Sequence, residues 1–257
     1  MPGGELKRAL QGGAALAAVA VAIPASVVVS HAGGGGEPTT PQKPEVTKQQ
    51  GDGFERAAAP KPAPRADFSG GRIRGADLSD WQSDGEFQRA TRNLRWASIK
   101  ATEGNDFTDP SFKARWRTLG KRMHGKMMLR MAYHMVTTGS SGSDQAQHFL
   151  RTLRVHGKVP KGTVLALDWE ADALARPDIL RDAARHIRAV TGEWPVIYTS
   201  ASNVSAAKEA VPKSRLWVAK WDSHVPERFD FVQTSDGPGY DHDVFTGNLA
   251  ALEKVAD

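Results

Sequence analysis

Two carboxylates stand close together at the end of an apolar run. The segment 163–170 reads TVLALDWE, so Asp168 and Glu170 are separated only by Trp169. A short aliphatic run that ends in acids is typical of a buried parallel strand whose C-terminal end opens onto a site. Side chains alternate along a strand, which places both acids on one face with their Cα atoms about 7 Å apart. A second negative charge at this distance raises the pKa of a carboxyl group, as a general acid near neutral pH requires. A pair of solvated acids at a strand end is the alternative interpretation.

Composition indicates a globular protein without cysteine chemistry. The chain has 257 residues, 40% hydrophobic and 25% charged, which suits one large domain or two small ones. It has no cysteine, which excludes disulfides, a cysteine nucleophile and thiolate metal sites. The net charge of +5 favours a polyanionic partner such as nucleic acid, anionic lipid or an acidic cell-wall polymer. The sequence lacks long blocks of like charge, which argues against a dedicated nucleic-acid arm.

The N-terminal segment predicts export from the cytoplasm. Lys7 and Arg8 precede an apolar stretch over 14–29, and a small-residue cleavage pattern ends at Ala32. This order is typical of a secretory signal peptide over residues 1–32. An uncleaved membrane anchor is the alternative, although an apolar run of about 16 residues is short for a spanning helix. Both interpretations predict an extracellular or cell-wall-associated protein, which contacts a membrane only if the segment is retained.

A change of composition separates this segment from the rest of the chain. Residues 33–71 are rich in Gly and Pro without an apolar period, which predicts a disordered linker. Residues 72–257 alternate strand and helix patterns, which predicts one domain. The predicted strands cover 73–78, 96–101, 126–136, 163–170, 195–199, 216–221 and 229–233, with a last one near 244–245. The predicted helices cover 83–93, 109–123 after an Asp-Pro start, a segment capped by Ser143, 177–192 and 202–210.

Alternation of this kind favours a parallel sheet that closes into a barrel. The domain has about 185 residues and its late helices are not evident, so the sequence predicts an α/β fold, an incomplete or flattened β/α barrel that is TIM-barrel-like. In such folds the chemistry lies at the carboxyl ends of the strands. That rule gathers at one rim Asp77, Glu103, Tyr133, His134, Asp168, Glu170, Tyr198 and Trp221.

A set of short motifs runs in order through this domain. They are GADLSDWQ (75–82), IKATEG (99–104), DPSF (109–112), AYHM (132–135), QAQHF (145–149), LALDWE (165–170), PVIYTS (195–200), LWVAKW (216–221) and DHDVFTG (241–247). In this order they resemble glycoside hydrolase family 25, the lysozymes that cleave peptidoglycan as N-acetylmuramidases. The resemblance implies a β/α barrel with five β/α units plus closing strands, and it covers nearly the whole predicted domain.

The resemblance also implies a reaction and its residues. The enzyme would cut the β-1,4 bonds between N-acetylmuramic acid and N-acetylglucosamine. Glu170 would be the general acid, and Asp168 would polarise or orient the substrate's 2-acetamido group. Asp77 and Asp241 would complete the acidic base of the groove. The acetamido oxygen would replace a protein nucleophile, and a direct nucleophile stays open because the sequence does not give the carboxylate separation.

Other positions carry less specific predictions. Tyr133, Tyr198 and Trp221 are implied to face the sugar, with core packing at strand ends as the alternative. Glu103 either faces the groove or caps an element, and His134 is a hydrogen-bonded structural residue rather than a base. No histidine pair has a metal spacing such as H-E-x-x-H, so we predict no metal and no cofactor.

Three positions depart from the family pattern. Met135 follows Tyr-His where Phe is usual, and Val232 stands where an aromatic residue is often found before Gln. Asp243 stands where Asn is usual, which adds negative charge near Asp241. These departures bear on the detail of the sugar subsites rather than on the acid pair.

The sequence therefore predicts a monomer that binds the glycan strands of peptidoglycan and no nucleic acid. The alternative from another class is a catalytically inactive cell-wall glycan-binding module on the same fold. The presence of all four acids argues against it, because a binder needs no proton donor beside a second acid. A binder of nucleic acid or another anionic polymer is supported only by the basic charge.

Overall fold

The computed structural model describes residues 72–125, 127–154, 159–160, 162–221, 228–235 and 239–256. The predicted signal peptide or anchor and the predicted linker lie outside the described residues. Within the described ranges, the helices are all too short or too polar to span a bilayer.

One sheet organises the described domain. Its strands are β1 (Ile73–Leu78), β2 (Trp96–Glu103), β3 (Phe107–Thr108), β4 (Leu129–Met135), β5 (Thr163–Asp168), β6 (Val196–Ser200), β7 (Leu216–Ala219), β8 (Phe231–Ser235) and β9 (Asp241–Phe245). The order is β1-β9-β8-β7-β6-β5-β4-β2-β3, and β1 also pairs with β2. The strands other than β3 therefore close into a barrel, which corrects the prediction of an incomplete one. Closure passes through β9, which is antiparallel to both β1 and β8.

Helices follow several strands, and all but the last of them pack on the outer face of the barrel. They are α1 (Asp84–Thr91), α2 (Phe112–Arg122), α3 (Gly142–Leu153), α4 (Pro177–Thr191), α5 (Val204–Ala210) and, at the end of the chain, α6 (Leu249–Ala256). Two predicted helix starts are wrong. The N-cap of α3 is Ser141, whose hydroxyl accepts from the Asp144 N–H, rather than Ser143. Helix α2 begins at Phe112, because the Asp109 carboxylate accepts from the Ser111 N–H at 2.8 Å and holds a turn before it.

Alternation along the strands produces two apolar layers. The inner layer fills the barrel and contains Ile73, Trp96, Leu129, Met131, Val164, Ala166, Phe231 and Phe245. The outer layer lies between the strands and the helices, and includes Ile99, Leu167, Ile197, Phe149 and Ile187. The inner layer is dense: a Cβ atom on Gly75 would lie 2.0 Å from the Trp96 indole, so only glycine fits there.

Helix α6 closes the amino end of the barrel, and the expectation that late helices are missing is wrong for this element. β9 runs antiparallel to β1 and pairs Phe245 with Ile73, so the chain leaves β9 at the amino end. Leu252 of α6 is fully buried and joins the inner apolar layer. The amino end of the interior is therefore filled with apolar side chains, and the polar inward-facing side chains lie at the carboxyl end.

Candidate active site

The carboxyl end of β5 and the residues just after it hold the acid pair Asp168 and Glu170. β5 ends at Asp168, and Glu170 follows in extended conformation with φ −147° and ψ −174°. Between them Trp169 points outward and is buried, and its Nε1–H donates to the Ala173 carbonyl at 2.7 Å. The Trp169 N–H donates to the Tyr198 carbonyl at 2.9 Å, which ties the segment to β6. Both acid side chains line one pocket, as the alternation predicts.

The pocket lies at the carboxyl ends of the parallel strands and has a volume of about 240 Å³ including its open mouth. It brings together five predicted residues, Asp77, Tyr133, Asp168, Glu170 and Tyr198. Two lining residues, Trp217 and Gln233, were not predicted. Within the predicted strand 216–221, Trp217 is four residues before Trp221 and so falls on the same predicted face, which means that alternation carried a signal for it. In the structure the strand ends at Ala219.

Gln233 connects the pocket residues through its side-chain amide. Its Nε2–H donates to Asp77 Oδ2 at 3.0 Å. Its Oε1 accepts from the Tyr198 hydroxyl at 3.0 Å and from Trp221 Nε1–H at 3.3 Å. Trp221 is 40% exposed, whereas Tyr198 is buried. The predicted sugar-facing residue Trp221 therefore stands at the mouth of the pocket, attached to its wall through Gln233, and does not line the pocket itself.

The antiparallel direction of β9 explains why acids at its start reach this end of the barrel. Asp241 is the register partner of Asp77, and directly paired residues project from the same face of a sheet. Asp241 is partly buried and is not among the residues that line the pocket. Asp243 lies one inward position deeper, is buried, and accepts at Oδ1 from Trp217 Nε1–H at 2.8 Å.

Glu103 forms an ion pair and does not line the pocket. Its Oε2 lies 2.7 Å from Lys100 Nζ, which also approaches Met135 Sδ at 3.6 Å. Lys100 is 7% exposed, so this cation is buried beside the acids. Lys100 was not predicted, although its position on the inward face of β2 follows from the alternation.

His134 takes a structural position on the outer face of β4. Its Nδ1 lies 2.8 Å from Thr102 Oγ1 and its Nε2 lies 3.2 Å from Gln145 Oε1. Burial lowers its pKa to about 3, so the ring is neutral at neutral and mildly acidic pH. This agrees with the prediction that His134 is no catalytic base.

Comparison with known proteins decides the family of this barrel. The sequence profile described as glycosyl hydrolases family 25 matches residues 76–241, more than half of the chain. The chain belongs to glycosyl hydrolase family 25. This confirms the resemblance found in the sequence, and it makes the protein a glycoside hydrolase of the lysozyme class.

Relatives and solved structures agree with this membership. The chain is 31% identical over 211 residues to the Escherichia coli K12 protein YegX, described as uncharacterized, and covers 74% of it. It is 27% identical over 146 residues to the N,O-diacetylmuramidase of Chalaropsis sp., spanning 51% of this chain and 67% of that one. The muramidase structure from Acremonium alcalophilum has a TM-score of 0.58 at 28% identity, covering 72% of this chain and 98% of the other.

Burial dominates the electrostatics of the family 25 pocket. It raises the pKa of Glu170 to about 7, with the charge of Asp77 adding to it and Lys100 opposing it. Burial also raises the pKa of Asp168 well above its ordinary value, and the charge of Glu170 is the next cause. The predicted elevation is present, but its order of causes differs: burial comes before charge, and the neighbour that acts on Glu170 is Asp77 rather than Asp168.

Two buried carboxyl oxygens in the pocket have no hydrogen-bond partner within the described part of the chain. They are Asp168 Oδ1 and Glu170 Oε1. Leaving a buried polar oxygen unpaired costs stability, about 1–3 kcal/mol for a neutral group, and folded proteins rarely tolerate it without a function. Burial and the surrounding carboxylates raise the pKa of Tyr133 and Tyr198 well above the ordinary value, so both phenols are neutral. The family 25 site thus offers unpaired acids between neutral aromatic donors.

Proposed function

We propose that this family 25 enzyme is a peptidoglycan hydrolase that cleaves the β-1,4 bonds between N-acetylmuramic acid and N-acetylglucosamine. Glu170 is its general acid, and Asp168 assists the substrate's acetamido group. The observation that carries this proposal is the Glu170 carboxyl: buried, unpaired at Oε1, and with a pKa raised to about 7. The names of the muramidase relatives supply the substrate class.

Glu170 meets the two requirements of a general acid. Its pKa of about 7 leaves it protonated in a large share of molecules at neutral pH and still able to release the proton. Its free Oε1 lies in the pocket, where a glycosidic oxygen can approach it. In the proposed step the proton moves from Glu170 to the leaving oxygen as the bond from that oxygen to the anomeric carbon breaks.

Asp168 is placed to act on the acetamido group of the sugar. Its buried, unpaired Oδ1 can accept the amide N–H and turn the acetamido oxygen toward the anomeric carbon. That oxygen then forms the new bond to carbon and a cyclic intermediate, which water opens with return of a proton to Glu170. The anion of Asp77, which faces this site, stabilises the positive charge that develops on the sugar. In the competing route Asp168 itself attacks the anomeric carbon, in place of the acetamido oxygen.

The remaining pocket groups and the setting of the enzyme complete the proposal. Tyr133 and Tyr198 present ring faces and neutral hydroxyls to the sugar, and Trp221 extends the contact at the mouth. The protein acts as a secreted or cell-wall-associated monomer, exported by residues 1–32. N-terminal sequencing of the protein recovered outside the cell tests this, because a start after Ala32 supports cleavage and a start at Met1 contradicts it.

The function is tested by release of new reducing ends from purified murein. Glu170→Gln keeps the size of the side chain but removes the proton donor, so we expect the rate to fall by about 10²- to 10⁴-fold while murein binding is retained. The matched control is Glu209→Gln, which changes an exposed glutamate on α5 and should keep the wild-type rate.

The outcomes separate the candidate functions. A wild-type protein that binds murein without releasing reducing ends would favour the inactive glycan-binding module. Salt-sensitive DNA binding without murein cleavage would favour the anionic-polymer binder. A Glu170→Gln variant with the wild-type rate would falsify the assignment of the general acid.

A further inference from the structure

Asp243 is a buried acid that the proposed chemistry does not use. It lies on β9 opposite Gly75 of β1 and Gln233 of β8, facing the barrel interior below the pocket. It is 2% exposed. Its Oδ1 accepts from Trp217 Nε1–H at 2.8 Å, which leaves the second oxygen to be accounted for.

The second oxygen of Asp243 lacks a donor, and a second carboxyl group lies beside this residue. Oδ2 is buried and finds no N–H or O–H donor among the described residues. Asp77 pairs with Asp241 in the sheet, so Asp243, two residues further along β9, is its diagonal neighbour on the same inward face. Gln233 lies opposite Asp243 in the sheet and donates to Asp77, so the two acids share this neighbour, and the carboxyl groups interact with each other. Two carboxyl groups this close, away from water, are not both ionised, because each charge disfavours the other. One proton between them supplies the missing donor.

The surroundings decide which partner holds that proton. Asp77 Oδ2 already accepts from Gln233 Nε2–H at 3.0 Å, which favours its anion. Asp243 likewise has one side-chain donor, Trp217, but it also lies beside the charge of Asp241 as well as that of Asp77. Burial and these two charges raise the pKa of Asp243 well above its ordinary value.

The other ionisable groups around this pair lie on four strands. They are Lys100 on β2, Tyr133 on β4, Asp168 at the end of β5 with Glu170 just beyond it, and Tyr198 on β6. Lys100 is the positive charge within this set, and it forms an ion pair with Glu103. The two tyrosines are neutral. The charge of Asp241 beside Asp243 therefore favours retention of the shared proton.

We propose that Asp243 is a positioning residue whose carboxyl group keeps this proton and donates it in a hydrogen bond to Asp77, which stays anionic and faces Glu170. The charge of Asp77 then helps to hold the proton on Glu170. Asp243 thus acts on the proton donor through Asp77, without touching the sugar. The effect of Asp243 on the reaction rate rests on the proposed function. The location of the proton on Asp243 does not depend on that function.

Two substitutions of similar size separate the donor from the charge. Asp243→Asn offers an amide N–H to Asp77 in place of the carboxyl O–H, whereas Asp243→Leu offers no donor. Without a donor Asp77 takes up a proton more readily, its charge on Glu170 is lost, and Glu170 ionises at lower pH. For Asp243→Leu we therefore expect the alkaline limb of murein hydrolysis to move by about one pH unit toward acid. For Asp243→Asn the limb should stay at its wild-type position.

The comparison can fail in two ways. If Asp243→Asn moves the limb as far as Asp243→Leu does, the charge of Asp243 matters and the residue is ionised. If neither variant moves it, Asp243 does not act through Asp77. Asp77→Asn provides the reference, because it removes the charge directly and should move the limb in the same direction as Asp243→Leu.

Difference infrared spectroscopy at neutral pH locates the proton without any activity. The spectrum of the wild-type protein minus that of Asp243→Asn should contain the C=O stretch of a protonated carboxyl group. Loss of a carboxylate band instead would overturn the inference. Because this readout needs no substrate, it holds even if murein proves not to be cleaved, and Asp243→Asn suffices if the leucine variant does not fold.

Discussion

The two ends of the barrel interior are built from the same inward strand faces and do different things. At the amino end β1, β4 and β5 contribute Ile73, Leu129 and Val164, which pack with each other. Four positions further along the same faces, these strands contribute Asp77, Tyr133 and Asp168. Both layers are buried. Burial thus stabilises the fold at one end and, at the other, raises carboxyl pKa values.

The comparison shows that residues for stability and residues for chemistry occupy opposite ends of the same barrel interior. Helix α6 closes the amino end with Leu252, so no polar group is needed there. At the carboxyl end buried oxygens of Asp168 and Glu170 lack partners within the described residues, which opposes folding. The apolar layer therefore has to offset the cost of the acid layer.

The largest effect is expected at the amino end. Trp96 is fully buried, its Nε1–H donates to the Ile73 carbonyl at 3.1 Å, and its ring packs edge-on against Phe231. Trp96→Ala should lower the free energy of unfolding by about 3–5 kcal/mol, because it leaves a cavity and an unpaired carbonyl. Urea unfolding measures this. Trp81→Ala, at a 61% exposed site, is the control and should change stability by less than about 0.5 kcal/mol. Equal losses in both variants would contradict the division of the interior.

At the carboxyl end Asp168→Asn should leave the fold intact and reduce hydrolysis. Asparagine keeps the shape but replaces one carboxyl oxygen with an NH₂ group, which cannot accept the acetamido N–H, so we expect a rate loss of about 10²- to 10³-fold. The control is Asp172→Asn, an exposed acid in the 3-10 helix after Glu170, which should keep the wild-type rate. Steady-state rates on murein and urea unfolding of both variants check this pair. A large loss of stability in Asp168→Asn would make the residue structural.

The stability of the protein should depend on pH through the buried Glu170 at the carboxyl end of the barrel. The pKa of Glu170 is raised from 4.5 to about 7 in the folded protein, so the folded state binds the proton more tightly than the unfolded state. Its contribution to stability is present below pH 4.5 and is lost as pH rises toward 7. Melting temperature should fall over this window, and Glu170→Gln should flatten the fall, whereas Glu209→Gln should not. If the melting temperature of the wild type rose between pH 4.5 and 7 and that of Glu170→Gln did not, the pKa of Glu170 would be lowered rather than raised by folding.

The smallest effect is expected from Tyr198→Phe. The variant removes the hydroxyl that donates to Gln233 Oε1, but that oxygen still accepts from Trp221 Nε1–H. We expect a loss of about 1 kcal/mol in the free energy of unfolding and little change in pH dependence. Urea unfolding and the pH–rate profile measure both. A displacement of the alkaline limb as large as that of Asp77→Asn would show that Tyr198 orients Asp77 through Gln233.

Local sequence patterns predicted most of the residues at the carboxyl end of the barrel. The apolar run before Asp168 and the alternation after it located β5 and the shared side of the two acids, because strand geometry follows from neighbouring residues. The same alternation pointed to Trp217, which lies inside its predicted strand, whereas the candidates were chosen at strand ends. Gln233 ends the predicted strand 229–233 and was not chosen. The start of α6 also carried a helical spacing of apolar residues, Leu249, Leu252 and Val255, that the sequence argument passed over.

Other features depend on contacts that no local pattern reports. Closure of the barrel rests on pairing of β1 with β2 and β9, and β9 lies more than 150 residues further along the chain. The ion pair that removes Glu103 from the pocket depends on a bulge between Lys100 and Thr102. The leading role of burial in the pKa of Glu170 likewise depends on how deeply the finished barrel encloses it.

The most direct measurement is the pH dependence of kcat/KM for murein hydrolysis by the wild-type enzyme. If Glu170 gives its proton to the leaving oxygen, kcat/KM should decline tenfold per pH unit above a midpoint of about 7. A rate that stays level through neutral pH and on into the alkaline range, in an enzyme that releases reducing ends, would contradict the account.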